Sequence, residues 1–370
     1  MLENKNNENF TENEDRKLAS VEKIDKIKSI PNADSIEVAC VKGWEVVVKK
    51  GEFIEGDWCI YVEIDSILPQ LEVFEFMKPR NYKVKTIKLR GQISQGMCFP
   101  LTAKFLDNFL NCNKPVQVRV GNDLTEILGI KKYIPVQKSI PAIAKGSFPS
   151  DFLFKTDEVR FQNVFSDLND LLRGDTYSIT EKLDGSSLTV YLKDDKFGVC
   201  SRNLELKESE SPFWKVVRDY KIEEILNKYK EATGYNMCLQ GELIGEGVQG
   251  NKYNIKGNDL YIFNVFNIDT QEYMTTKDVV RFCNSHNLKY VPIIDSDYVF
   301  YEFTKEAFEK ISKIKSTLNP NVLAEGVVVR SGSVPIRMND TDRLEGIRGF
   351  SNNRFSFKII NPEWLLKYDN

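Results

Sequence analysis

Four residues near the middle of the chain, Lys182-Leu183-Asp184-Gly185, stand directly before a β-branched and aromatic run, SSLTVYL. A lysine attacks only as the free amine, so burial or nearby cations must lower its pKa. A divalent metal close by has that effect. Asp184 is placed to hold such a metal or its waters, and Gly185 lets the backbone turn sharply against a ligand. Alone, the tetrapeptide also reads as a hairpin turn with a charged neck. Three more charged residues interrupt apolar, strand-like runs: Glu242 in LQGELIG, Glu325 before GVVV, and Lys358 in FSFKIIN. One such residue is usually an exposed strand position. Three, together with Lys182 and Asp184, suggest a groove that needs metal-binding carboxylates and phosphate-binding cations together. Arg202 in SRN and Arg160 in TDEVRFQN are suited to clamp further phosphate or sugar oxygens.

Composition narrows the alternatives. The chain has 370 residues, enough for two domains, with 41% hydrophobic and 28% charged residues, ordinary for a globular protein. A net charge of -3 carries no global basic field, although a local basic groove remains compatible with it. No apolar stretch is long enough to span a bilayer. The opening MLENKNNENFTENEDRK is polar and acidic and lacks the apolar core of a signal peptide, so residues 1–15 read as a loose tail and the protein is expected to be intracellular. The seven cysteines are scattered, without metal or redox spacing, and read as reduced core residues. The single histidine, His286, lies near the end of a helical segment, which argues against triad chemistry. Lys, Asp and Glu are left to do the work.

The elements that must position these residues fall into two textures. Residues 16–135 are rich in short β signals, SIEVACVKG, WEVVVKKG, DWCIYVEID and YKVKTIKLRGQ, separated by Gly, Asp and Pro turns. They predict an OB-like barrel. Lys83, Lys85, Lys88 and Arg90 beside Tyr82 suit a groove that tracks a nucleic-acid backbone, or equally a solvated strand face. Residues 136–150, with their prolines and small residues, read as a linker. Residues 151–370 mix strands with helices at FWKVVRDYKIEEILNKYKEA, TTKDVVRFCNSHN and KEAFEKISKIKSTL, without one-for-one alternation. The expected fold class is therefore α+β: a barrel, then antiparallel sheets flanked by helices. No Walker or dinucleotide glycine motif is present, so a nucleotide must be held some other way. In YIFNVFNI, period two puts Tyr261, Phe263 and Val265 on one face and Ile262, Asn264 and Phe266 on the other.

In order, EKLDGSS, SRN, QGELIG, YIFNVFNI, EGVVVR and FSFKIIN resemble the motif series of the covalent nucleotidyltransferases. TDEVRFQN and GELIGEGVQGN resemble RNA ligases in particular. The N-terminal KIKSIPNADSIEVACVKGWEVVVKKGEFIEGDWCIYV and KTIKLRGQISQG resemble the leading OB domain of the Naegleria/Deinococcus-type RNA ligases. The resemblance covers nearly the whole chain after the tail. It implies that Lys182 attacks the α-phosphate of ATP and that Glu181 faces the adenine edge. It assigns Asp184 and Glu325 to the metal, and Arg202 and Glu242 to the ribose. Phe263 would stack on adenine, Lys358 would contact the α-phosphate, and Arg160 would reach the terminal phosphates, with Gly185 at the ATP site. The implied reaction seals 3′-hydroxyl and 5′-phosphate RNA ends through lysyl-AMP and RNA-adenylate intermediates. The expected setting is a duplex nick in RNA repair, with Mg2+ or Mn2+, by a monomer. Lys83, Lys85, Lys88 and Arg90 would face the RNA.

Two departures stand out. Many relatives carry K-x-K in the last motif, where this chain has Ser356 before Lys358. The stretch between Glu325 and Lys358, with Arg337, Arg343, Arg348 and Arg354, is long for a strand connection and reads as an RNA-facing flap or a solvated loop. The alternatives are a capping guanylyltransferase or DNA ligase, both expected to carry an OB domain after the last motif, where only PEWLLKY and a few residues follow. From another class, a non-catalytic OB protein that binds nucleic acid remains open.

Overall fold

Short strands broken by left-handed turn residues shape the first part of the chain. The computed structural model describes residues 17–107, 118–133, 143–172, 175–331 and 355–368. The expected tail, Cys112, residues 134–142 of the proline-rich stretch, and the segment bearing Arg337, Arg343, Arg348 and Arg354 lie outside the described residues. The chain divides into two compact units, Met1–Ile134 and Pro135–Asn370.

In the first unit the strands are β1 (Ala19–Ser29), β2 (Ile36–Val41), β3 (Trp44–Lys49), β4 (Trp58–Val62), β5 (Ser66–Ile67), β6 (Lys83–Val84), β7 (Ile87–Leu89), β8 (Gln92–Ser94) and β9 (Met97–Pro100). A short helix α1 (Ala103–Leu106) and strand β10 (Lys131–Lys132) follow. The long strand β1 pairs through its first half with β4 and through its second half with β2, with a register shift between Ile24 and Lys26. A bulge of this kind bends a strand so that it serves two parts of a curled sheet. The resulting order is β3-β2-β1-β4-β9, and Val21, Ile60, Val62, Phe74 and Leu124 fill its interior.

The basic stretch is not the single strand expected. Lys83 lies in β6, Lys88 in β7, and Arg90 in the tight turn to β8 with φ 49°, with Lys85 between strands. Tyr82 is buried in the barrel core, and its hydroxyl donates to Glu75 at 3.0 Å. Its ring is therefore a core ring rather than an exposed stacking surface. Lys83 instead lies 4.0 Å from the centroid of the Tyr133 ring.

The second unit begins with β11 (Ala144–Ser147), which falls in the segment expected as linker but pairs with Leu204–Leu206. Next come β12 (Val159–Arg160), α2 (Phe165–Leu171), β13 (Tyr177–Lys182), β14 (Ser186–Lys193), β15 (Lys196–Cys200) and β16 (Leu204–Leu206). Then follow α3 (Pro212–Asp219), α4 (Ile222–Thr233), β17 (Met237–Gly245), β18 (Asn258–Asn267), β19 (Glu272–Tyr273), α5 (Thr276–Ser285), β20 (Lys289–Tyr290) and β21 (Ile293–Tyr298). The unit closes with α6 (Lys305–Ser312), β22 (Gly326–Ser331), β23 (Ser356–Ile360) and α7 (Pro362–Tyr368).

These strands form two sheets. One has the order β11-β16-β15-β14-β17-β18-β19, with β20 also on β18; the other runs β12-β23-β22-β13-β21. Pairing is antiparallel except at β12–β23 and β18–β20. Leu188, Val190, Leu239 and Val265 of the first sheet pack on α3, α4 and α5. Ile179, Val327, Phe357 and Ile359 of the second pack on Phe161, Leu168 and Phe308.

Two helices are shorter than their periodicity predicts. The first segment splits at Lys221, which takes φ 53°, while the Tyr220 hydroxyl donates to Asp259 at 2.5 Å. α6 stops at Ser312, and the following backbone turns to pair with residues near 323. Among the described residues no helix is long and apolar enough to cross a membrane. Six cysteines are described, all as free thiols, four of them buried.

Candidate active site

The Lys182–Gly185 tetrapeptide is the crossover between the two sheets. β13 ends at Lys182 in the second sheet and β14 begins at Ser186 in the first. Leu183 anchors the crossing from beneath, 2% exposed among Ile244, Tyr253 and Val291. Register then delivers the acids. Lys182 opposes Gly326 on β22, so Glu325 sits at the strand entrance beside it. Ser187 opposes Glu242 on β17. Gly185 is required for a reason other than the sharp turn at a ligand: a Cβ there would lie 2.3 Å from the Leu243 carbonyl oxygen. The crossover backbone is pressed against β17, and no side chain fits between them.

The Lys182 ammonium donates to Glu325 Oε2 at 2.6 Å. Burial pulls the lysine pKa down, but Glu325, Glu242 and Asp184 together outweigh it, and the net shift is upward. The nucleophile candidate is therefore a protonated ammonium in this state. Burial dominates for Glu242 and, with Glu325 and Asp184 adding to it, pushes the carboxyl up to about 8 against the opposing pull of Lys182. Burial likewise raises Asp184, with Glu325 adding to the rise and Lys252 opposing it. Asp184 is held on both sides: its N–H donates to the Tyr253 hydroxyl at 2.6 Å, and its carboxylate pairs with Lys252.

Glu181 points away from Lys182 along the strand and is 1% exposed. Its Oε2 accepts from the Thr317 N–H at 2.8 Å, in the segment the sequence assigns to helix. Its Oε1 is buried with no hydrogen-bond partner among the described residues. Phe263 is half-buried with Tyr261 beside the Leu183 cluster. The register of β17 and β18 shifts between Gln240 and Gly241, whose partners are Asn264 and Ile262, so Phe263 is the bulged residue. The bulge breaks the expected alternation: Val265 joins Ile262 in the helix-covered core, opposite to Tyr261 and Phe263.

On the second sheet, Arg160 of β12 is the cross-strand neighbour of Lys358 on β23. Lys358 also opposes Val328, and Ser356 opposes Arg330. Arg330 donates to the Thr180 hydroxyl at 2.9 Å, lies 3.5 Å from Glu158, and has its guanidinium carbon 5.9 Å from the Phe263 ring centroid. Ser356 donates to the same Glu158 carboxylate. Arg202 is exposed and forms a two-toothed pair with Asp157, at 2.6 and 3.2 Å. The fold thus brings Lys182, Asp184, Glu242 and Glu325 into one electrostatic group and Arg160 beside Lys358. Arg202 is tied instead to Asp157, in the segment that precedes β12. Lys83, Lys85, Lys88 and Arg90 belong to the other unit.

Lys252, Tyr253, Asp157, Glu158 and Arg330 escape the sequence reading. Arg330 carries the signal that exposed Glu325, a charge at the edge of the GVVV run. Lys252 sits in a polar loop where a lysine attracts no notice.

A curled OB-type sheet in one unit, and in the other a lysine at the crossover of two antiparallel sheets with carboxylates around it, define the covalent nucleotidyltransferase class. An OB-fold domain model matches residues 18–101, and the RNA ligase family model matches residues 175–359. No curated protein sequence matches. Among solved structures, the chain is similar to the Naegleria gruberi RNA ligase with PPi, at 35% identity over 96% of this chain and 99% of that one, TM-score 0.79. A variant of that ligase with AMP and Mn gives the same values. A variant with ATP and Mn matches at 35% identity over 95% of this chain and 99% of that one, TM-score 0.79. The chain belongs to the RNA ligase family.

Proposed function

We propose that the protein is an ATP-dependent RNA ligase whose nucleophile is Lys182. The observation that carries this reading is the single site at the sheet crossover, where Lys182 meets Glu325 directly and Asp184 and Glu242 electrostatically. The solved relatives with ATP, AMP and PPi support the nucleotide.

In the first step Lys182 releases its proton to solvent and its nitrogen attacks the α-phosphorus of ATP. A P–N bond forms, the bond to the β-phosphate oxygen breaks, and pyrophosphate leaves. Arg160 and Lys358, side by side, supply positive charge where negative charge develops. The open Oε1 of Glu181 accepts a hydrogen bond from the adenine amino group, and Phe263 offers a ring face for the base. Glu242 and Arg202 serve the ribose. In the second step an RNA 5′-phosphate oxygen attacks the AMP phosphorus and frees the lysine. In the third the 3′-hydroxyl of the adjoining strand attacks the 5′-phosphate, expelling AMP.

Among the described residues no three Asp, Glu, His or Cys groups converge as direct metal ligands. Asp184 and Glu325, coupled through space, nevertheless fit a hydrated Mg2+ or Mn2+, which commonly takes one or two carboxylates and completes its shell with water and phosphate oxygens. Such an ion, when bound, stabilises negative charge on the α-phosphate and favours the free amine of Lys182.

Lys83, Lys85, Lys88 and Arg90 serve as RNA-phosphate contacts of the first unit. The substrates are RNA ends with 3′-hydroxyl and 5′-phosphate at duplex nicks, the setting is RNA repair, and the enzyme acts as a monomer. The test is a nicked duplex carrying an RNA 3′-hydroxyl strand, incubated with ATP and Mn2+ and resolved by denaturing electrophoresis. A sealed strand with a transient adenylylated 5′ end is expected. Equal sealing of an all-DNA nick would contradict the RNA assignment.

A further inference from the structure

The loop between β17 and β18 carries Lys252, whose ammonium bridges out of its own loop to Asp184. The loop is stiff. Asn251 exchanges two hydrogen bonds with Ile255, at 2.9 and 3.0 Å, and the Lys252 carbonyl accepts from Asn319 at 3.2 Å. Around the ammonium stand the Gln249 carbonyl oxygen at 3.0 Å and the ring centroids of Trp364 and Tyr368, each at 5.5 Å. The pocket is built for a cation: one carboxylate, one carbonyl and two aromatic faces. It also joins two parts of the site. α7, which brings both rings, follows Asn361, whose N–H donates to the backbone carbonyl of Glu325 at 2.9 Å.

We propose that Lys252 is the resident cation of the Asp184 carboxylate, holding its place until a divalent ion arrives and then withdrawing to the Gln249 carbonyl and the α7 rings. The inference rests on the metal role proposed above for Asp184. Two lysines therefore pair the two candidate metal carboxylates in this state, Lys182 on Glu325 and Lys252 on Asp184. An incoming divalent ion replaces cation–carboxylate contacts rather than filling bare charge. Withdrawal is easy, because the carbonyl and ring contacts already exist and survive the loss of Asp184. Lys252 is on this account a positioning residue that holds the Asp184 carboxylate in place until the ion binds.

The test is a titration of the nucleotide-free protein with Mn2+ alone, free ion being read by electron paramagnetic resonance. Lys252→Met should bind Mn2+ about tenfold more tightly than wild type, because one competing positive charge is gone. Lys252→Arg, which keeps the charge, should bind as wild type does. Unchanged or weaker binding by Lys252→Met overturns the proposal. A second readout uses the unmodified chain and does not depend on variant folding. Labelling of Lys252 by an amine-reactive reagent, followed by peptide mapping, should rise on saturation with Mg2+; no rise overturns the proposal too. Formation of a lysyl-AMP adduct by the wild-type protein is scored separately. Its absence would defeat the ligase reading, whereas an adduct combined with a flat Mn2+ comparison would defeat only the role of Lys252.

Discussion

Glu242 and Lys182 are displaced in the same direction by opposite means. Burial raises the acid, and the surrounding carboxylates raise the base. The acid has a measurable consequence. Unfolded, Glu242 ionises near 4.5, while folded it holds its proton to about 8. Between these values the folded state binds more protons, so the stability of the nucleotide-free protein falls as pH rises through that window. Glu242→Gln should remove part of that fall, seen as a smaller loss of Tm between pH 5 and 8. A steeper loss than wild type would contradict the assignment. Lys182 carries the same sign at higher pH: its raised pKa contributes stability that is fully present below 10.5 and is lost as pH rises above it. The tetrapeptide itself was legible in the sequence, because a charged residue next to a strand and a glycine is a local pattern. Why Gly185 must be glycine was not. The clash is with the Leu243 carbonyl on a strand almost sixty positions away, and nothing local announces it.

At the scale of elements, pairing register decides what the site contains. The strand identities were largely legible, since β-branched runs bounded by turns mark them directly. The bulge at Phe263 was not, because nothing in YIFNVFNI shows that β17 and β18 slip by one residue there, and the slip moves Val265 to the other face. The break at Lys221 was equally hidden. It depends on Tyr220 reaching Asp259, a contact between separate elements. The same holds for the group around Glu158, where β22 and β23 set Arg330 opposite Ser356 and both share one carboxylate. The Arg330 and Glu158 side chains are only 10% and 8% exposed. Removing one partner leaves the other charge buried, so Arg330→Met should destabilise the protein by about 3–5 kcal/mol in chemical denaturation. A loss below about 1 kcal/mol, the range of surface pairs, would show that the group is not a structural clamp.

At the scale of the whole molecule, the two units have separate cores, one around Val21, Ile60 and Phe74 and others around Leu239 and Phe357. The residues proposed for nucleotide chemistry all lie in the second unit, and the proposed RNA-phosphate lysines in the first. A truncated chain of residues 135–370 should therefore keep lysyl-AMP formation while strand sealing falls roughly tenfold or more, the loss increasing with salt for contacts made to phosphate. Equal loss of both activities would make the first unit a structural support. The order of textures, β-rich first and mixed second, was legible from composition, because turn residues punctuate the first part so closely. That residues 144–147 belong to a sheet was hidden, since Ala-Lys-Gly-Ser has little strand propensity and pairs only because β16 offers an edge.

The most direct test of the account is intact mass spectrometry of the wild-type protein and Lys182→Ala after incubation with Mn2+ and either ATP or GTP, followed by peptide mapping. An AMP adduct on Lys182 is expected with ATP, none with GTP, and none in the variant. An adduct of undiminished yield in Lys182→Ala, or a GMP adduct in the wild type, would contradict it.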